Sequence, residues 1–229
     1  MDSMGHSTAA SAGATALASA AAKLQARTRH ARRARIPALF LLTDDARLPD
    51  PVAAVQRLPR GAAVIARARD RDALDALVAA LVPVCRRRGV ALIVAGDVRL
   101  ALRHGADGVH LSESLCRRHS AAAALALPPA GRSARPLLLT ASAHSLPAVL
   151  RAGRLGATAV LLSPVFATQS HPGARPLGTI RLAALIRATR RKGVGATVVA
   201  LGGVTSTTAR RLANSGVGGV AAIGALARG

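Results

Sequence analysis

The chain has 229 residues, 51% of them hydrophobic but only 1% aromatic, and a formal charge of +22. That length suits one domain, including an α/β barrel built as a single unit, and the scarcity of aromatics implies a core of Ala, Val, Leu and Ile, as in parallel strands buried on both faces. No stretch approaches the roughly 18 apolar residues of a membrane span, so no membrane partner and a soluble, cytoplasmic protein are expected.

The positive charge invites a nucleic-acid reading. Against it, the basic residues are spread along the chain, only Lys23 and Lys192 are lysines, and Phe40 and Phe166 are the only rings that could stack on bases. No specific nucleic-acid partner is expected; the arginine bias favours solubility and nonspecific attraction to polyanions. Cys85 and Cys116 lack CxxC spacing, so neither a structural disulfide nor a zinc site is expected.

Residues 1–35 are rich in Ala and Ser and end in a basic run, with Asp2 the only acid. The composition is that of a transit peptide without a secretory apolar region, or of a disordered or helical extension, and the segment is expected to stay outside the fold, or else to cover the gap left by a short last helix. From Ile36 onward short apolar runs alternate with amphipathic ones. Strands are predicted over 38–43, 62–66, 90–95, 108–111, 137–141, 159–163, 197–201 and 219–222. Helices are predicted over 51–57, 71–88, 98–104, 115–125, 146–155, 179–191 and 206–214. Leu74, Leu77, Val78 and Leu81 repeat at the helical period, and Gly89, Gly105, Gly156, Gly193 and Gly216 follow helical runs as stop signals.

Eight strands in strict alternation with helices predict a single (β/α)8 TIM barrel over 36–229, with a truncated last helix. An open doubly wound sheet is the alternative, but LLTDDARLPDP after the first strand has no glycine to make its phosphate-binding turn. In a barrel the functional groups lie at the C-terminal strand ends, with a phosphate site commonly built after strands seven and eight. Gly202 and Gly203 follow the seventh strand, and Ile223 and Gly224 the eighth. The same glycines would also serve as plain tight turns.

The motifs LLTDD, GADGVHL, SAHS, LLSPVFATQSHPGARPLG, ALGGVT and GVGGVAAIGAL together resemble the thiamine phosphate synthase and thiazole tautomerase (TenI) superfamily, over about Leu39 to Leu226. The resemblance implies a thiamine-biosynthesis barrel acting on a thiazole phosphate. The synthase branch is a transferase that joins this substrate to a pyrimidine diphosphate with Mg2+. By position, Thr168, Gln169 and Ser170 match the loop that holds the thiazole phosphate, Gly203, Ile223 and Gly224 match the rest of that site, and Ser142 matches a pyrimidine contact. The synthase's QLREK signature reads Ile65, Ala66, Arg67, Ala68, Arg69, which keeps two basic groups for a diphosphate. Its loop lysine reads His171.

The two aspartates that bind metal in the synthase read Gly96 and Leu115, which puts Mg2+ in doubt, with Asp97 and Glu113 the nearest substitutes. The tautomerase branch needs no metal and uses a histidine at the position of His144 as acid and base; an imidazole titrates near neutrality. Synthases also carry a histidine there, so His144 could equally be a supporting residue. His110, inside the VHL strand, is expected to be a hydrogen-bonded interior group. Divergent synthase, tautomerase and catalytically inactive thiazole phosphate binder all stay open on the sequence, as does the oligomeric state.

Overall fold

A computed structural model gives the fold and describes residues 4–28, 31, 36–118, 137–168 and 173–227. The eight apolar runs become parallel strands: β1 (Leu39–Leu42), β2 (Ala63–Ala66), β3 (Ala91–Ala95), β4 (Gly108–Leu111), β5 (Leu138–Ala143), β6 (Ala159–Leu162), β7 (Thr197–Ala200) and β8 (Gly219–Ala222). Each pairs with its successor, and β8 pairs with β1 through Phe40 opposite Ala221, closing the barrel. The open-sheet alternative therefore falls.

Six of the eight strands are buried at every residue, because alternate side chains enter two different cores. Phe40, Leu42, Ile65, Ile93, Leu161, Val199 and Ala221 fill the barrel interior, and Ile36 joins them. Their neighbours Leu41, Val64, Val94, Val160 and Val220 face the surrounding helices. These are α1 (Met4–Ala26), α2 (Pro51–Gln56), α3 (Arg71–Arg88), α4 (Val98–His104), α5 (Glu113–Arg118), α6 (Leu146–Arg154), α7 (Gly178–Arg191), α8 (Ser206–Arg210) and α9 (Gly224–Ala227).

Several helices start on a side chain that accepts a backbone N–H of the first turn. Asp50 serves α2, Asp70 serves α3 and Asp97 serves α4, each at 2.8 Å, and Thr205 and Thr208 form a reciprocal capping box on α8. These caps lie in the strand-to-helix loops, so they fix the loops that carry the functional groups. α8 is shorter than predicted, because after Arg210 the chain continues in tight turns such as Leu212 N–H to Ala209 O. α5 begins two residues early, and what was predicted beyond Arg118 lies outside the described residues.

The expectation that the extension stays outside the fold is corrected in favour of the alternative, that it covers the gap beside the short last helix. Leu17, Ala21 and Leu24, spaced at i, i+4 and i+7, form an apolar stripe that is buried with the helix-facing core. α1 packs on α8, α9, β8 and β1. Thr28 Oγ1 donates to Val217 O at 2.9 Å, and Gln25 Nε2 donates to Ile36 O. The strand assignment is unaffected, since the helix adds to the outside of the barrel.

Cys85 and Cys116 are both free and buried, and burial pushes the Cys85 thiol up to about 12. No described helix is long and apolar enough to cross a membrane. Because Leu17 is fully buried, Leu17→Ala should cost about 2–5 kcal/mol of unfolding free energy in urea titrations of the whole chain. A cost under about 0.5 kcal/mol would mean that α1 does not pack on the barrel.

Candidate functional site

At the C-terminal end of the barrel, the turns after β6, β7 and β8 surround a cavity of about 590 Å³. Thr168, Gly202, Gly203, Ile223 and Gly224 line it, together with Arg47 from the loop after β1 and Gly13 from α1. The loop after β6 is tied to the turn after β7 by backbone bonds: Val165 N–H to Leu201 O at 2.9 Å and Phe166 N–H to Gly202 O at 3.0 Å. The Arg211 guanidinium covers the Phe166 ring at 5.3 Å from its centroid.

This contact dictates the double glycine. Gly202 and Gly203 have φ of +90° and +63°, and a Cβ on Gly203 would collide with the Ala167 carbonyl oxygen. Thr168 is thereby brought beside Gly203. Four predicted residues, Thr168, Gly203, Ile223 and Gly224, thus share one cavity, whereas Gln169, Ser170 and His171 lie outside the described residues. Glycine-rich turns let backbone N–H groups approach an anion.

On the other side of the mouth, Arg67 follows β2 and its side chain is half-exposed. Its backbone N–H donates to Thr43 Oγ1 at 2.7 Å, and its guanidinium lies 3.8 Å from the Asp44 carboxylate. Arg69 does not line the cavity; its side chain is 78% exposed and pairs with Asp70 at 3.0 Å. Ser142 lies inside the mouth, 2.8 Å from His110 Nε2, while His110 Nδ1 is 2.9 Å from Thr140 Oγ1. Thr140 Oγ1 is in turn positioned to donate to Val109 O at 3.4 Å. In that arrangement Nδ1–H donates to Thr140 and Ser142 donates to Nε2, so Ser142 offers lone pairs to whatever binds beside it.

Burial, with the nearby Arg67 charge adding to it, pushes His110 down to about 3. The interior role expected for His110 matches this geometry, and a neutral imidazole is part of the core.

The two positions matched to metal ligands do face each other. A Cβ on Gly96 would sit 3.5 Å from Leu115 Cδ1. The substitutes are otherwise engaged: Asp97 caps α4 through Oδ1 and takes Arg71 Nε at 3.0 Å through Oδ2. Glu113 takes the His144 backbone N–H at 3.0 Å and Arg117 at 2.8 Å. Among the described residues no group of three or more His, Cys, Asp or Glu side chains is arranged to hold a metal ion. A hydrogen, a leucine methyl and two committed carboxylates do not fit Mg2+, which wants oxygen ligands in near-octahedral geometry.

His144 lies just past β5, exposed, with Nδ1 2.8 Å from the Ser163 carbonyl. A carbonyl only accepts, so Nδ1 carries a proton, and in the neutral imidazole Nε2 carries the lone pair. Missing from the sequence reading are Asp44, Arg47 and Gly13. Asp44 accepts Arg47 Nε at 3.2 Å and Nη2 at 2.6 Å, and this fork holds its carboxyl below the usual carboxylate range. The only signal in the sequence was the spacing of three between them.

A closed eight-stranded barrel with a cavity at the C-terminal ends of β7 and β8 defines a (β/α)8 protein whose candidate site lies where such barrels commonly bind phosphate. The model of a family described as thiamine monophosphate synthase matches residues 39–226. The thiamine-phosphate synthase of Bacillus velezensis is 29% identical over 196 residues, covering 82% of each chain. That of Chlorobium luteolum is 32% identical over 197 residues, covering 84% of this chain and 86% of its own. The structure of a thiamine phosphate pyrophosphorylase from Pyrococcus furiosus superposes with a TM-score of 0.65 at 26% identity, covering 84% of this chain and 87% of that one. The chain belongs to the thiamine monophosphate synthase family.

The depressed His110 value has a consequence for stability. The unfolded histidine titrates near 6.5 and the folded one near 3, so its contribution is complete above pH 6.5 and is lost as pH falls toward 3. Urea unfolding of the native chain between pH 6 and 4 should therefore lose about 1.4 kcal/mol per pH unit more than His110→Gln does. Equal slopes would mean that His110 can protonate in the folded barrel.

Proposed function

We propose that this chain binds a thiazole phosphate at the barrel mouth and isomerises its ring by proton transfer at His144, in place of the Mg2+-assisted joining to a pyrimidine diphosphate. The observation that carries this reading is the contact of Gly96 with Leu115, where the synthase resemblance calls for two aspartates. A site without those oxygens lacks metal assistance for the departure of diphosphate. Proton transfer needs only a positioned base and an anchored substrate.

Both requirements have candidates here. The cavity beside Gly203 and Gly224 anchors the phosphate by backbone N–H groups. His144 Nε2 takes a proton from the ring and returns it at another ring atom, so that no net charge is left on the protein. Ser163 O fixes the tautomer, and Glu113 Oε2 holds the His144 backbone. Arg67 follows β2 and Ser142 lies near the end of β5, both at the C-terminal strand ends, so a pyrimidine diphosphate bound beside them would be held by arginine.

With the purified chain, the thiazole isomers should interconvert at an unchanged rate in EDTA, and His144→Ala should lower that rate by about 10²–10⁴-fold. EDTA-sensitive formation of thiamin phosphate would overturn the proposal in favour of a divergent synthase. Binding of the thiazole phosphate with neither reaction would mean a binding protein. Gly224 has open space where a Cβ would lie, so Gly224→Asp should fold, place a carboxylate at the anion site, and abolish thiazole phosphate binding in calorimetry.

A further inference from the structure

Among the described residues that line the 590 Å³ cavity, Arg47 is the only charged one. The other walls offer backbone and small side chains, which orient an anion but carry no formal charge. Arg47 is also the residue that the motifs do not account for, since it lies in the loop after β1, far from the glycine turns in sequence.

We infer that Arg47 is a phosphate ligand of this cavity, a cationic arm that selects the phosphorylated thiazole over its unphosphorylated alcohol. The inference rests on the reading of the cavity as the phosphate site. Three features make Arg47 more than one of many surface arginines. Its side chain is 35% exposed, against 78% for Arg69 and 57% for Arg103, so an interaction there is less screened by water. Its guanidinium is oriented on one edge by the Asp44 fork, and a planar guanidinium presents donors on more than one edge. Asp44 is in addition 3.8 Å from Arg67, so a single carboxylate stands between two guanidiniums. The three together keep a net positive charge, and Asp44 alone does not cancel the attraction for an anion.

Asp44 is thus a positioning residue and Arg47 the group that meets the ligand. The Arg67 end of the same cluster reaches the pyrimidine side of the mouth, so one carboxylate is common to the surroundings of both anions. Fork-like donation from arginine to a phosphate is among the stronger polar interactions available to a protein.

Calorimetric titration of the full chain with thiazole phosphate, with the thiazole alcohol and with inorganic phosphate tests this. Arg47→Gln, which keeps part of the aliphatic stem and a polar tip but removes the charge, should weaken thiazole phosphate and inorganic phosphate by about tenfold or more and leave the alcohol unchanged. Arg47→Lys should recover part of the loss, because it restores the charge without the fork. Arg103→Ala, which removes a cation far from the cavity in an Asp75 pair, should stay within about twofold, as expected for an exposed ion pair.

Wild-type affinity for thiazole phosphate in Arg47→Gln, with Gly224→Asp inactive in binding, would overturn the role of Arg47 and leave the phosphate cavity standing. An equal loss for phosphate and alcohol would also overturn it, by showing a general disturbance of the site. No phosphate binding even by the unaltered chain would overturn the reading of the cavity itself. Thermal melts of each variant distinguish these from misfolding, and Arg47→Lys provides the comparison if the glutamine variant does not fold.

Discussion

The pairing of β8 with β1 is the constraint on which the site depends. Val220 N–H donates to Ala38 O at 2.9 Å, and Gly219 lies so close that a Cβ there would come within 2.7 Å of the same oxygen. Once this seam closes, the loop after β1 must stand beside the turn after β8. Arg47 and Gly224, distant in sequence, then border the same space. An open sheet of the same strands would leave the two turns on opposite edges and divide the cavity.

The chemistry at the mouth reflects where the few acids have gone. Asp50, Asp70 and Asp97 start helices, Asp107 holds the Leu92 N–H, and Asp75 pairs with Arg103. Glu113, Asp44 and Asp45 lie beside candidate functional groups, and each is committed to a backbone or guanidinium donor. What is left for a substrate is mostly positive or neutral. On the function proposed above, such a mouth favours anionic substrates, with arginine and backbone donors available to hold them. Below it the buried His110 spans Thr140 and Ser142, so the polar floor is satisfied from within.

Much of the barrel was legible because strands buried on both faces write themselves as uninterrupted apolar runs, such as AVIA at β2 and TVVA at β7. The ends of α3 and α4 were legible too, since Gly89 and Gly105 take left-handed caps there. The turns after β7 and β8 could be assigned to one site from barrel geometry alone. Composition misled at the N-terminus, where the abundant Ala and Ser of 1–35 obscured the Leu17, Ala21, Leu24 stripe. Arg47 was not legible, because its place in the cavity follows from which strands become neighbours on closure. Beyond its spacing of three from Asp44, nothing local in the sequence separates it from other arginines. The neighbour relation of Gly96 and Leu115 likewise needs the folded ends of β3 and β4.

The packing of α1 makes the N-terminal segment a structural partner of the site. Gly13 contributes to the cavity wall, while Leu17 and Ala21, one and two helical turns further on, are anchored in the core. A protease that clipped the chain between α1 and β1 would loosen one wall of this cavity and uncover part of the barrel's apolar flank in a single cut.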